Sequence, residues 1–84
     1  MNFAVEWLPD AEDALADAWL QAADPSAVAQ AQAQVDRLLG RDPIGSGQLL
    51  HEGLYQIVLT PLTVFYSVDL SNRIVEVSEV WYSP

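Results

Sequence analysis

Three apolar runs, Leu54–Thr60, Thr63–Asp69 and Arg73–Tyr82, follow one another with only two or three residues between them. Connections that short cannot carry a crossover, so consecutive strands here must pair antiparallel, as a meander. The alternation supports strands throughout. Tyr55, Ile57 and Leu59 share one face, and Val64, Tyr66 and Val68 share one on the next run. In the last run Val75 and Val77 alternate with Glu76 and Ser78, but Glu79 then falls on the apolar phase. A bulge near Ser78-Glu79 restores the pattern and turns Val80 and Tyr82 inward. The expected turns are Pro61-Leu62 and Leu70-Ser71-Asn72.

The first half of the chain has a different period. Phe3, Val5 and Trp7 alternate with Ala4 and Glu6 as a short strand of about six residues, which Pro9 stops. Asp10, Glu12 and Asp13 then place negative charge where a helix start favours it. Ala11, Ala14, Leu15, Ala18, Trp19 and Ala22 form one helical stripe, so a helix is predicted from Pro9 to Ala23 with Trp7 and Trp19 in the core. Asp24 caps the next helix and Pro25 opens it. Val28, Ala31, Val35, Leu38 and Leu39 are its apolar stripe, and Gly40 is its predicted C-terminal glycine. Arg41–Gly47 reads as a loop, and Gln48–Glu52 as a short extended piece. The whole is one α+β domain over residues 1–84. Its order is β-α-α-β-β-β, with an αα-hairpin packed on a mainly antiparallel sheet.

Composition limits what such a domain can touch. The chain has twelve carboxylates against three arginines and no lysine, a formal charge of −9. Proteins that bind nucleic acid cluster Lys and Arg to displace counterions, so direct nucleic-acid binding is disfavoured. Without cysteine there is neither a disulfide nor a thiolate metal site. No apolar run reaches the roughly 18–20 residues of a membrane span. The start, Met1-Asn2-Phe3-Ala4, lacks the pattern of a signal peptide. A soluble cytoplasmic bacterial protein is the expectation. No cofactor is expected either, since GRDPIGSG lacks a P-loop lysine and precedes a strand. Glu12, Asp13 and Asp17 lie along one side of the first helix and read as a solvated face rather than a metal site.

With that layout, VEWLPDAEDAL, RLLGRDPIGSG, LYQIVL, TVFYSVD and RIVEVSEVW, in this order and spacing, resemble the RelE/ParE superfamily of type II (plasmid-stabilisation) toxin–antitoxin systems. The resemblance covers almost the whole chain. It implies a toxin held silent by a cognate antitoxin, acting either as a ribosome-dependent mRNA endonuclease or on DNA gyrase. It also implies cations on the terminal strands of the ribonuclease members. At those positions this chain has Gln56, Thr63 and Trp81-Tyr82.

RNA cleavage needs a base, an acid and a positive group beside the developing charge. His51, with Glu52 and Tyr55 close to it in sequence and Arg41 and Arg73 able to converge on the same sheet face, gives a set chemically sufficient for that; its candidate catalytic residues are His51, Tyr55, Arg41 and Arg73. The structural readings are favoured: His51 on the surface at a strand start, Tyr55 in the core, Arg41 on a helix carbonyl, Arg73 in a turn. Trp81, with Tyr82 beside it, is the candidate interface. Three functions are thus open. They are a toxin acting mainly by protein binding, an endoribonuclease, and a module that self-associates, as a homodimer, through an edge strand.

Overall fold

The computed structural model describes residues 2–84. The described elements are β1 (Ala4–Trp7), α1 (Pro9–Gln21), α2 (Pro25–Arg41), α3 (Pro43–Ser46), β2 (Gln48–His51), β3 (Leu54–Leu59), β4 (Leu62–Asp69) and β5 (Ile74–Tyr82). Together they make an α+β fold. Its five-stranded sheet has the order β1-β5-β4-β3-β2, antiparallel except where β1 joins β5 in parallel. The expected extended piece at Gln48–Glu52 is a paired strand, and the expected loop contains α3.

Local chemistry sets the helix ends. Pro9 opens α1 with Asp10 and Glu12 in its first turn. The Asp24 side chain accepts from the Ser26 N–H, with Pro25 at the first helical position of α2. Two helix boundaries differ from the expectation, and the first hairpin turn is Thr60-Pro61, since the buried Leu62 already belongs to β4. Helix α1 stops at Gln21, short of Ala23. Helix α2 runs through Gly40 to Arg41, so Gly40 is not its terminator. Asp42-Pro43 ends it instead, because a residue before proline is pushed out of the helical region and Asp42 sits at φ −150° and ψ 77°. Asp42 then caps α3, accepting from the Gly45 N–H at 3.0 Å.

Both helices lie on one face of the sheet. Ala11, Leu15 and Ala18 of α1 and Val28, Ala31, Val35 and Leu39 of α2 meet Ile57, Leu62, Val64, Tyr66, Val75, Val77 and Val80 in one buried cluster. Trp19 does not join them. It lies about 100° around α1 from Ala18 and is 40 % exposed. The small residues on the buried side let α1 approach the strands without it. Trp7 is half-buried at the margin, where its indole N–H donates to Asp36 Oδ1 at 2.8 Å.

The bulge lies at the expected place. Phe65 faces Glu79 and Tyr66 faces Val77, leaving Ser78 as the extra residue on β5. Beyond it Val80 is buried and Tyr82 packs on the core.

Candidate functional site on the open sheet face

The side of the sheet turned away from the helices is made by the residues out of phase with the core. Register places Gln56, Phe65 and Glu79 in one row across β3, β4 and β5, and Val58, Thr63 and Trp81 in the next. A further row joins Ser67, Glu76 and Glu6, since β1 lies beside β5. The bulge decides this composition. With unbroken alternation Glu79 and Trp81 would follow Val75 and Val77 into the core. One extra residue turns both onto the open face.

At the centre Phe65 is 8 % exposed although no helix covers it. Trp81 does, with ring centroids 4.8 Å apart in an edge-to-face arrangement. Trp81 itself is 58 % exposed and Val58 is 59 % exposed. Around this apolar patch stand Glu6, Glu76 and Glu79, all exposed. Glu6 faces Glu76 directly in the β1–β5 register. Like charges opposite one another on neighbouring strands are destabilising. Glu76→Lys should therefore raise stability by about 0.5 kcal/mol, read from the urea midpoint at unchanged slope.

The residues considered for RNA cleavage fall elsewhere. His51 is exposed on β2, with Nδ1 3.4 Å from the neighbouring Glu52 carbonyl. Tyr55 lies on the helix side, stacked on Tyr66 at 5.5 Å and 15°. Arg41 is exposed at the end of α2. Arg73 is exposed in the β4–β5 turn at φ 55°. Its carbonyl accepts from the Ala4 N–H, and the adjacent Phe3 N–H donates to Gly40. Arg41 and Arg73 thus flank the start of β1, at one margin of the sheet, while His51 is at the other. Three strand spacings, about 14 Å, separate the strands of His51 and Arg73. Proton transfer needs contacts of roughly 3 Å, far shorter than that backbone spacing.

The paired interface candidates also separate. Trp81 is on the open face, whereas Tyr82 packs against the core on the helix side. Adjacent residues of a strand point to opposite faces. Sequence reasoning overlooked Phe65, although its place between Val64 and Tyr66 put it out of phase with the core. Gln56 and Thr63 do reach the open face, with Gln56 donating to the Gln48 side chain at 3.3 Å.

Burial, then the Tyr55 and Asp42 side chains, push the Tyr66 hydroxyl up to about 12. The Asn72 side chain, then its backbone N–H, hold the Asp69 carboxyl below its usual range and so fasten the β4–β5 turn. Among the described residues no group of three His, Asp or Glu side chains is placed to hold a metal, and no helix is long and apolar enough to cross a membrane.

No protein-family profile and no curated protein matches the sequence. Solved structures do match the fold. A chain of the RelBE2 toxin–antitoxin complex of Mycobacterium tuberculosis superposes with a TM-score of 0.80 at 19 % identity, covering 98 % of this chain and 92 % of that one. The isolated RelE toxin of E. coli gives 0.66 at 19 % identity, covering 98 % and 85 %. A chain of the chromosomal ParDE system of P. aeruginosa gives 0.63 at 14 % identity, covering 98 % and 97 %. Matched over nearly its full length by all three, this chain has the fold of the RelE/ParE toxins.

Proposed function

We propose that this chain is the toxin-type component of a toxin–antitoxin module and works by binding other proteins, without ribonuclease activity of its own. The observation that carries this reading is the open sheet face. Gln56, Thr63 and Trp81 meet there, at the positions where the resemblance calls for cations, and the charges beside them are Glu6, Glu76 and Glu79. Such a face repels an RNA backbone and offers no positive group to a phosphorane. The partner is a cognate antitoxin in a bacterial cytoplasm, and the target is a protein surface, on DNA gyrase or the ribosome. A toxin this acidic calls for an antitoxin with a basic or apolar segment.

The test is co-expression with the product of an adjacent short reading frame, together with a cleavage assay in a translating extract. A stable complex is expected, with mRNA left intact at every concentration of the free chain. Cleavage abolished by His51→Ala or Arg73→Ala would establish the endoribonuclease instead. A partner-free, monodisperse protein encoded by a solitary gene would count against the module.

A further inference from the structure

We infer that the open sheet face is a docking surface for a cationic amphipathic segment, one that seats an aliphatic side chain on the Phe65–Trp81–Val58 patch and sets Arg or Lys against Glu6, Glu76 and Glu79. The inference deepens the protein-binding reading by naming the surface and the chemistry of its partner.

Two independent features meet here. The first is an apolar anchor. Phe65 is buried on the side with no helix, and its cover is the exposed indole of Trp81, with Val58 open beside it. A large aromatic held rigidly over a second ring presents contact area at little entropic cost, which is the character of an interface hot spot. The second is the sign of the surrounding charge. Glu6 and Glu76 face each other, and Glu79 sits beside Phe65 in the row that Gln56 completes. None of the three arginines is on a strand of this face: Arg37 and Arg41 are on α2 and Arg73 is in the β4–β5 turn. The free chain therefore holds like charges together around an uncovered aromatic, and both are relieved by the same ligand. Arg suits it best, because a guanidinium can pair with a carboxylate and lie on an indole. An acidic or neutral segment meets the anchor but not the charge.

The probe is a short peptide of alternating arginine and leucine, titrated into the whole chain at near-physiological salt and followed by amide chemical shifts. Shifts are expected on β4 and β5 around Phe65 and Trp81, and a glutamate–leucine peptide should produce none. Glu76→Lys/Glu79→Lys and Trp81→Ala should each weaken binding at least about tenfold. Glu76→Gln/Glu79→Gln, which preserves shape, should weaken it in the same direction. Asp13→Lys/Glu52→Lys makes the same change of net charge at exposed sites away from this face and should cost less than about threefold. Equal losses from the two charge reversals would overturn the inference by showing unspecific attraction to a −9 chain. Shifts centred on the helices, or no binding, would overturn it as well. An antitoxin complex that survives Glu76→Lys/Glu79→Lys unchanged would remove this surface while leaving the toxin–antitoxin reading intact.

Discussion

Replacing Tyr66 with alanine is expected to cost about 3–5 kcal/mol, a large part of what holds a domain of this size together. Tyr66 is completely buried in the middle of β4. Its ring stacks on Tyr55, and its hydroxyl donates to the Pro43 carbonyl at 2.7 Å. That bond ties α3, a single turn opened by the buried Pro43, to the centre of the sheet. Tyr66→Phe separates the two contributions. It preserves the ring and leaves a buried carbonyl without its donor, for a loss of about 1–3 kcal/mol. Chemical denaturation of both variants measures the difference.

The same hydroxyl sets an alkaline limit. Its pKa is raised to about 12 in the folded chain, above the ordinary tyrosine value of 10.0. The neutral form is therefore favoured by folding, and its contribution is complete below pH 10. The contribution is lost as pH rises through about 12, because the unfolded chain releases the proton first. Wild type should lose on the order of 2 kcal/mol across that interval relative to Tyr66→Phe, which lacks the group. An identical alkaline decline in the two proteins would refute this assignment.

Gly47→Ala is the second change with a large expected effect. Gly47 follows α3 and leads into β2 with an extended backbone, φ −112° and ψ −172°, so its dihedrals do not demand glycine. Space does. A Cβ at this position would overlap the Tyr66 hydroxyl and lie 2.7 Å from the Gln56 carbonyl oxygen. Neither neighbour can yield cheaply, since one is bonded to Pro43 and the other is strand backbone. The expected cost is about 2–4 kcal/mol, with loss of the Tyr66–Pro43 bond and fraying of β2. Amide hydrogen exchange should show Gln48–His51 opening while β4 and β5 stay protected. Gly40→Ala is the control, because its Cβ would stand 3.6 Å from the Phe3 carbonyl, an ordinary contact. In Gly47→Ala/Tyr66→Phe the two losses should fail to add, since each removes the same bond.

Much of this fold could be read from period alone. The short gaps after Thr60 and Asp69 dictate an antiparallel meander, and Glu79 on the wrong phase marks the bulge before any coordinates exist. These features depend on residues a few positions apart, where backbone geometry leaves few choices. Trp19 shows where such reasoning stops. A helical stripe is wider than the strip that touches the sheet, and the alanines of α1 decided which edge of it was buried. Gly40 shows the other limit. A glycine after an apolar stripe resembles a terminator, but Asp42-Pro43 two residues later has the stronger steric claim.

The candidate site was legible only in pieces. Gln56, Thr63 and Trp81 could be named one at a time, yet nothing local says that they share a face with Phe65 and with the carboxylate of Glu6, some seventy residues from Glu76. The parallel insertion of β1 beside β5 brings those two carboxylates together. Sheet order likewise puts His51 at one margin and Arg73 towards the other. By itself the amino-acid sequence determined the two long helices, the strands and their phases, and the excess negative charge, because each follows from composition or from short-range spacing; the short helix α3 it did not show. Only the tertiary structure decided which face the helices cover and therefore where that charge is displayed. Strand order and helix docking are settled by burial over the whole chain, a sum that no short stretch of it contains.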